Sequence, residues 1–310
     1  MIVALAPGPS SSDAREAIAL GPHGEAYEPD GKGAWVRRHG GGLSGEVVRA
    51  SRAGALVIAG VEAGPPFGYR AGAVGGAWNL IVLGLHAKAI VGRGPRATAA
   101  FGKQVFGLES GKPVRLADAP GVVSALGASP HAIAIETDQG LARLEAGTRR
   151  WKPIAKAPAH VIALLDDRWA LVDRGLLDLT KRAVTPWPAG FRVATAIAVT
   201  SDLVVAAGLH GNAPELVTLA RSRLSREAIA PSGGLPGRAG GTGTADFGTG
   251  AAAIISVVAD TAGRVVVAAQ DGQLAVRDKA GTWTFGRVRS ELPADRPGPP
   301  PAASKSESRP

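Results

Sequence analysis

An all-β fold made of repeated four-stranded units is predicted by three features of this 310-residue sequence. Short apolar runs alternate with polar residues at a period of two, which indicates strands. Gly, Asp, Ser and Pro bound these runs, and no segment shows a convincing helical period. A tryptophan recurs about every forty residues at a fixed place after a glycine, which indicates an internal repeat.

The register of the repeat is set by five of the six tryptophans. Each follows a glycine by ten to twelve residues: Trp35, Trp78, Trp151, Trp187 and Trp283. Two further copies lack the tryptophan, and the spacing is regular once an insertion at residues 231–250 is subtracted. One such unit cannot bury its apolar faces alone, whereas a ring of units can. The sequence therefore predicts a single seven-bladed β-propeller with four antiparallel strands per blade.

The predicted propeller is one domain over residues 1–289. Its blades are expected at residues 1–43, 44–84, 85–119, 120–157, 158–190, 191–230 and 251–289. Because each blade is contiguous in sequence, the ring is expected to close by packing of the first blade on the last. Residues 290–310 are rich in Pro and Ser, and we expect them to be disordered.

The third and fourth strands carry a recognisable pattern: glycine, a hydrophobic residue, an acidic residue, then glycine and tryptophan. The fullest copy is Gly140, Leu141, Glu145, Gly147 and Trp151. Partial copies are Val105, Glu109 and Gly111; Leu274, Asp278, Gly281 and Trp283; and Ala26, Asp30, Gly31 and Trp35. This pattern resembles the degenerate repeat of quinoprotein-like propellers, whose period WD40-like propellers share.

The resemblance implies that the tryptophan of each repeat packs between neighbouring blades, as a large apolar side chain can. A structural role is therefore expected for Trp35, Trp78, Trp151, Trp187 and Trp283. Quinoprotein dehydrogenases are longer, usually eight-bladed and exported, and they hold a quinone with calcium. This chain departs from them in length and predicted blade number, so no cofactor is expected.

Composition excludes several classes of function. The chain has no cysteine, which excludes disulfides, thiolate metal sites and cysteine catalysis. With no apolar run of spanning length and no secretory leader at its start, a cytoplasmic protein without membrane contact is expected. The net charge of +9 suits an acidic protein or nucleic acid. The basic residues are scattered, however, and aromatics are only 5% of the chain, which argues against nucleic acid.

One face of the predicted propeller holds the candidate site. The starts of the innermost strands and the turns between second and third strands meet there, around the central channel. Strand starts place Glu46, His86, His160 and Arg192 on this face, and turns place His23, Asp138, Asp173, His210 and Asp271 there. The insertion adds Arg238, Asp246 and Phe247. Asp is also an ordinary turn residue, so each has a structural explanation as well.

A non-enzymatic module for protein–protein interaction, or a subunit of a larger assembly, is the leading functional hypothesis. The sequence has no nucleotide-binding loop, nucleophile elbow or His-Glu-x-x-His motif, so neither catalysis nor a metal is expected. Two alternatives stay open. One is a small-molecule lyase or hydrolase at the channel mouth, with a metal held by His86, His160 and an Asp. The other is binding of nucleic acid or an acidic partner through the positive charge.

Overall fold

The computed structural model describes residues 1–8, 14–30, 34–62, 64, 66–71, 77–81, 89–93, 96–109, 112–154, 160–230, 247 and 253–289. Within these ranges the regular structure is β-strand except for one 3₁₀ turn, Ala14–Glu16. No helix in the described ranges is long and apolar enough to cross a membrane. The strands fall into consecutive groups of four, as the sequence repeat predicts.

The strand bounds follow the chain. The first three groups are β1 (Ala4–Ala6), β2 (Ile18–Leu20), β3 (Glu25–Pro29), β4 (Trp35–Gly40); β5 (Val47–Ala53), β6 (Leu56–Val61), β7 (Phe67–Arg70), β8 (Asn79–Leu80); and β9 (Ala89–Arg93), β10 (Arg96–Phe101), β11 (Gln104–Glu109), β12 (Lys112–Asp118). The next two are β13 (Val123–Ala128), β14 (Ala132–Thr137), β15 (Gly140–Glu145), β16 (Lys152–Pro153); and β17 (Val161–Leu164), β18 (Trp169–Val172), β19 (Gly175–Asp178), β20 (Ala183–Pro186). The last two are β21 (Phe191–Thr200), β22 (Leu203–His210), β23 (Ala213–Ala220), β24 (Arg223–Ala228); and β25 (Ile254–Ala259), β26 (Val265–Ala269), β27 (Gln273–Arg277), β28 (Trp283–Arg289).

The prediction of seven separate four-stranded blades is wrong. Within the described residues, five groups form separate four-stranded sheets, and the first and last groups form one eight-stranded sheet. Its strand order is β1-β2-β3-β4-β28-β27-β26-β25, and the join is a parallel pairing of Val288 with Trp35 and Arg289 with Val36. The fold is thus an all-β propeller with five four-stranded blades, closed by a double sheet. The sequence could not show this join, because an outer strand has the same alternation whether or not its edge is paired.

Apolar clusters between successive groups hold the ring together. Leu20 of the first group shares a cluster with Val57 of the second. Leu141 of the fourth group likewise packs with residues of the fifth, and Trp169 of the fifth with residues of the sixth. The second strands of the groups, such as β18 and β26, are buried throughout by these clusters, which explains their continuous apolar runs.

The ring closes through packing as well as through strand pairing. Trp35 of the first group packs with Val258 and Leu274 of the last. Asp260, only 1% exposed, follows β25 and accepts a hydrogen bond from the Ala14 backbone N–H at 3.0 Å. Its carboxylate also pairs with Arg264 at 3.2 Å. A buried carboxylate with these partners ties the 3₁₀ turn of the first group to the last group.

Antiparallel order within each group defines two faces. The upper face carries the start of the innermost strand and the turn between the second and third strands of each group. The lower face carries the end of the innermost strand and the turn between the third and fourth strands. The predicted topology of the candidate site therefore corresponds to the upper face.

Candidate functional site

A cavity of about 660 Å³ lies on the upper face. Its wall is formed by the start of β13, the end of β14 and the start of β17, and Arg49 contributes from β5. The group β9–β12 separates β5 from β13 in the chain, so these strands are not neighbours in one blade interface. The cavity therefore lies inside the ring, at the mouth of the channel, where propellers commonly offer a concave surface.

A repeated β-bulge points side chains into this mouth. The pairing register shifts by one residue near the start of β5, β13 and β17, and again in β21 and β25. The residues spanned by the shift in the first three strands are Val48, Ser124 and Ile162. A bulge leaves one residue unpaired and redirects its side chain. Ser124 and Ile162 line the cavity, and Val48 lies next to the lining residue Arg49 on β5.

The bulges leave large apolar side chains in contact with solvent. Ile162 is 50% exposed and Val48 is 50% exposed, although Val161 and Val47 beside them are buried. Val122, the residue before β13, is 45% exposed and lines the same cavity as Ile162. Apolar side chains gathered in a concave site, unlike single ones scattered on a surface, mark a place for contact with a ligand or partner.

The cavity also contains charged groups without partners. Neither the Arg49 guanidinium nor the Glu136 carboxylate makes a hydrogen bond or ion pair with another residue in the described ranges. Arg49 is open to the channel, yet the surrounding protein removes water from its guanidinium, and this burial lowers the pKa of Arg49. An arginine still keeps its charge. A partly dehydrated cation is a ready partner for an anionic group.

Two of the predicted residues meet in this cavity. His160 lies immediately before β17, and Asp138 lies in the turn after β14. One oxygen of Asp138 accepts a hydrogen bond from the Val122 backbone N–H at 2.9 Å, which holds the turn against the start of β13. Topology places Asp138 and His160 on one face, and in the structure both line this cavity.

Other predicted residues lie on the upper face but outside the cavity. Glu46 precedes β5 and Asp173 follows β18, and both are exposed. His23 lies in the turn after β2, where its backbone N–H donates to Glu25 at 3.0 Å. Arg192 of β21 donates to the Gly211 carbonyl at 2.9 Å. These contacts are local to each group and bring no two of the side chains together.

His210 and Asp271 lie among residues of their own four-stranded groups. His210 ends β22, opposite Phe191 of β21. The Asp271 carboxylate accepts hydrogen bonds from the Gln273 backbone at 3.1 Å and the Gln273 side chain at 2.7 Å. It also pairs with Arg287 at 3.0 Å. Asp271 therefore stabilises the turn between β26 and β27, and its carboxylate is already engaged in hydrogen bonds and an ion pair.

Three predicted residues, His86, Arg238 and Asp246, lie outside the described residues. A metal shared by His86 and His160 thus stays a prediction. Among the described residues, no group of three His, Cys, Asp or Glu side chains could hold a metal ion. Phe247 of the insertion is only 1% exposed and packs edge-on against Phe285, with ring centroids 5.6 Å apart. Its side chain belongs to the core and is not a free contact.

The five tryptophans of the repeat lie at contacts between groups. Trp283 packs with Val205 and Leu216 of the preceding group, and its Nε1 donates to Glu227 of β24 at 2.7 Å. Trp78 packs on the cluster of the first two groups, and its Nε1 donates to the Gly24 carbonyl at 2.9 Å. The remaining three sit in or against equivalent clusters: Trp35, Trp151 and Trp187.

Comparison with known proteins supports the fold. YCF48 from Cyanidioschyzon merolae is similar over 88% of this chain and 94% of its own, with 14% identity and a TM-score of 0.59. A structure of YCF48 bound to D1 peptide covers 93% of each chain, with 16% identity and a TM-score of 0.57. The chain is a β-propeller. The WD40 propeller domain of Doa1 is also similar, at 13% identity and a TM-score of 0.55 over 94% of each chain.

The likeness does not reach beyond the fold, since all three identities are low. No protein-family model matches the chain, and neither does any curated protein. The quinoprotein-like pattern in the third and fourth strands therefore has no support from a sequence family.

Proposed function

We propose that this propeller is a non-enzymatic, cytoplasmic interaction module that holds a segment of a partner protein at the channel mouth. The observation that carries the proposal is the set of bulged innermost strands, which present Val48 and Ile162 to solvent beside the unpaired Arg49. Apolar anchors surrounded by a few polar groups are the composition of protein-binding surfaces. A subunit of a larger assembly would use the same surface.

The unpaired Arg49 suggests a carboxylate-bearing residue in the partner segment, beside polar or basic groups that would face Glu136 and Asp138 of the same cavity. Arg49 has no ion pair in the described ranges, so an incoming carboxylate would gain a charge-assisted hydrogen bond without displacing an internal one. Glu136 and His160 in the same wall could then fix the orientation of the segment through polar contacts. The apolar neighbours would provide most of the affinity and Arg49 the selectivity.

Two similar structures agree with such a role. YCF48 is recorded bound to D1 peptide, and a chain of the mitotic checkpoint complex is similar at 12% identity and a TM-score of 0.51. In both cases a propeller of comparable length is found with another polypeptide. These two structures therefore support a polypeptide as the kind of partner.

The proposal is tested by partner capture with matched variants. Ile162→Glu places a charge in the cavity, and Val114→Glu makes the same change at a residue that is also 50% exposed but lies on the outer strand β12. Proteins recovered with each purified bait are quantified by mass spectrometry. A genuine partner should be recovered at least about tenfold less with Ile162→Glu and equally with Val114→Glu.

The affinity of the identified segment is then measured by calorimetry. Arg49→Gln should weaken binding about tenfold and reduce its dependence on salt, because a charge-assisted contact is lost. Equal recovery by Ile162→Glu and the wild type, in proteins of equal thermal stability, would contradict the assignment of this surface.

A further inference from the structure

We infer that the lower face carries a second binding surface, which holds double-stranded nucleic acid by its phosphate backbone. This surface does not involve the channel mouth and does not depend on its function. It consists of six basic residues in three consecutive blades, here called the basic arc: Arg149, Arg150, Lys181, Arg182, Arg221 and Arg223.

The arc arises because the basic residues occupy the same place in each group. Arg149 and Arg150 lie between β15 and β16, and Lys181 and Arg182 lie between β19 and β20. Arg221 lies between β23 and β24, and Arg223 begins β24. All three positions are turns between the third and fourth strands, so all lie on the lower face of neighbouring blades. Residues scattered in sequence are thus gathered by the repeat.

The positive charge of the arc is not compensated within the described residues. All six side chains are exposed, and none makes a hydrogen bond or ion pair with another described residue. The acidic residues of the same face are engaged elsewhere. Arg168 pairs with Asp178 at 2.9 Å and with Asp202 at 2.8 Å, and Arg143 pairs with Asp167 at 2.7 Å.

Glu145, at the end of β15, is likewise paired with Lys152 at 3.1 Å. With Asp166, these carboxylates outnumber the three bases paired with them, and the six cations of the arc still leave the sector with a net positive charge. A patch of this kind attracts polyanions over a distance comparable to the screening length of the solution.

Backbone conformation provides a second observation. Arg182 has φ of 56° and Arg221 has φ of 47°, in the left-handed region that L residues with long side chains seldom adopt. Glycine would fit these turn positions without strain. The turn between β23 and β24 imposes this conformation on two residues, since Ser222 has φ of 70°, and an exposed arginine stands in each of these turns where glycine would be less strained.

The surroundings of the arc favour a phosphate backbone over other polyanions. On the side of the arc, Trp151 is half-buried against an interblade cluster and Trp169, which begins β18, is buried, so they offer no platform for stacking bases of a single strand. Their indole rings also cannot anchor a lipid surface or the apolar centre of a protein interface. Exposed arginines and lysines without apolar anchors fit sequence-independent contacts to duplex phosphates.

The test uses the full chain and a fluorescently labelled DNA duplex of about 20 base pairs, with anisotropy measured across salt concentrations. The variant Arg182→Gly/Arg221→Gly removes two charges and relieves the backbone strain at both substituted positions. Its thermal stability should equal or exceed that of the wild type. Its affinity should fall at least about tenfold near 0.1 M salt, and the slope of log affinity against log salt should fall by about two.

The matched control removes two charges from the upper face. Lys103→Gln/Arg174→Gln changes exposed residues in turns between the second and third strands. This variant should bind the duplex within about twofold of the wild type. An equal loss of duplex affinity in both variants would show that only net charge matters. It would overturn the assignment of the basic arc as the binding surface.

Competing polyanions are tested in parallel with vesicles of phosphatidylcholine and phosphatidylglycerol and with polyglutamate. Tighter, arc-dependent binding to either would overturn the nucleic-acid assignment. Absence of duplex binding at low salt would overturn it as well. Duplex binding that is weakened by the glycine variant alone would support it.

Discussion

At the residue scale, buried carboxylates connect neighbouring blades. Asp178 is 3% exposed and accepts hydrogen bonds from two guanidinium nitrogens of Arg168, at 3.1 and 2.9 Å. Arg168 extends from there to Asp202 of the next blade and stacks over Trp169, with Cζ 4.9 Å from the ring centroid. One arginine thus links two blades through two carboxylates and a ring.

Opposing effects act on the pKa of Asp178. Burial raises the pKa of this carboxyl, and hydrogen bonds from Arg168, Thr180 and the Lys181 backbone lower it by more, so the net direction is downward. A carboxyl whose folded pKa lies below its ordinary value of about 4 stabilises the fold fully above that pH. Its contribution is lost as the pH falls through the lowered folded pKa.

We expect Asp178→Asn to lower the free energy of unfolding by about 2 kcal/mol at neutral pH, because charge-assisted hydrogen bonds to Arg168 become weaker. The loss of stability between pH 5 and pH 3 should then be less steep in the variant than in the wild type. Urea unfolding at several pH values measures both effects. Identical pH slopes for the two proteins would contradict this account.

At the element scale, the pairing of β4 with β28 is the feature that separates this propeller from a ring of independent blades. Val288 lies opposite Trp35 and Arg289 opposite Val36 in a parallel register. Each outer strand therefore covers part of the other's free edge, which an isolated blade leaves exposed. The first and last groups form one continuous hydrogen-bonded sheet.

The chain has no cysteine, so a designed disulfide can report on this join. Val36→Cys/Arg289→Cys places two thiols on partner residues of adjacent strands, where the Cα separation suits a disulfide. The bond should form on mild oxidation and raise the melting temperature relative to the reduced form. Up to about 4 kcal/mol is expected, because it closes a loop of most of the chain. Failure to form, with the Arg289→Cys variant as the unlinked control, would contradict the pairing.

The elements themselves were largely predictable from sequence. The alternation in "HAIAIET" and "GLARLEA" predicts the strands found at Ala132–Thr137 and Gly140–Glu145. The tryptophan register divides the chain into the observed groups of four. The join between β4 and β28 was not predictable, because it depends on how the outer strands meet when the ring closes.

The site was predictable only in part. Topology placed Asp138 and His160 on the same face, because the order of antiparallel strands determines the face on which each turn and each strand start lies. Ile162 and Arg49 were missed because a bulge breaks the period-two pattern, and a single sequence shows no mark for an extra unpaired residue. The apolar pair "VI" at residues 161–162 indicates only a buried strand, whereas Ile162 is half-exposed in the channel mouth.

At the scale of the whole molecule, the two faces have different surfaces. The upper face combines an apolar cavity with a few charges, and the lower face carries the basic arc. The insertion at 231–250 leaves from the end of β24 and returns at the start of β25, which are both upper-face positions. Its Phe247 packs in the cluster between the last two groups.

The part of the insertion that the structure describes, Phe247, is a structural anchor. Replacing residues 232–245 by a glycine–serine linker of equal length should leave the melting temperature within about 2 °C of the wild type, a free-energy change of less than about 1 kcal/mol. Phe247→Ala should cost about 3–5 kcal/mol, because it opens a cavity beside Phe285 and Ile229. Calorimetry measures the melting temperature and the stability of both variants. A large loss on linker replacement, or none on Phe247→Ala, would contradict this division.

The join between β4 and β28 also has a consequence for synthesis on the ribosome. Trp35 is made early, but the strand and the apolar side chains that cover it, including Leu274, come from the last group of the chain. The first four strands therefore keep one apolar face uncovered until nearly the whole chain has emerged. During that interval the nascent chain presents a surface open to chaperones and to aggregation, and completion of the last strand ends the exposure.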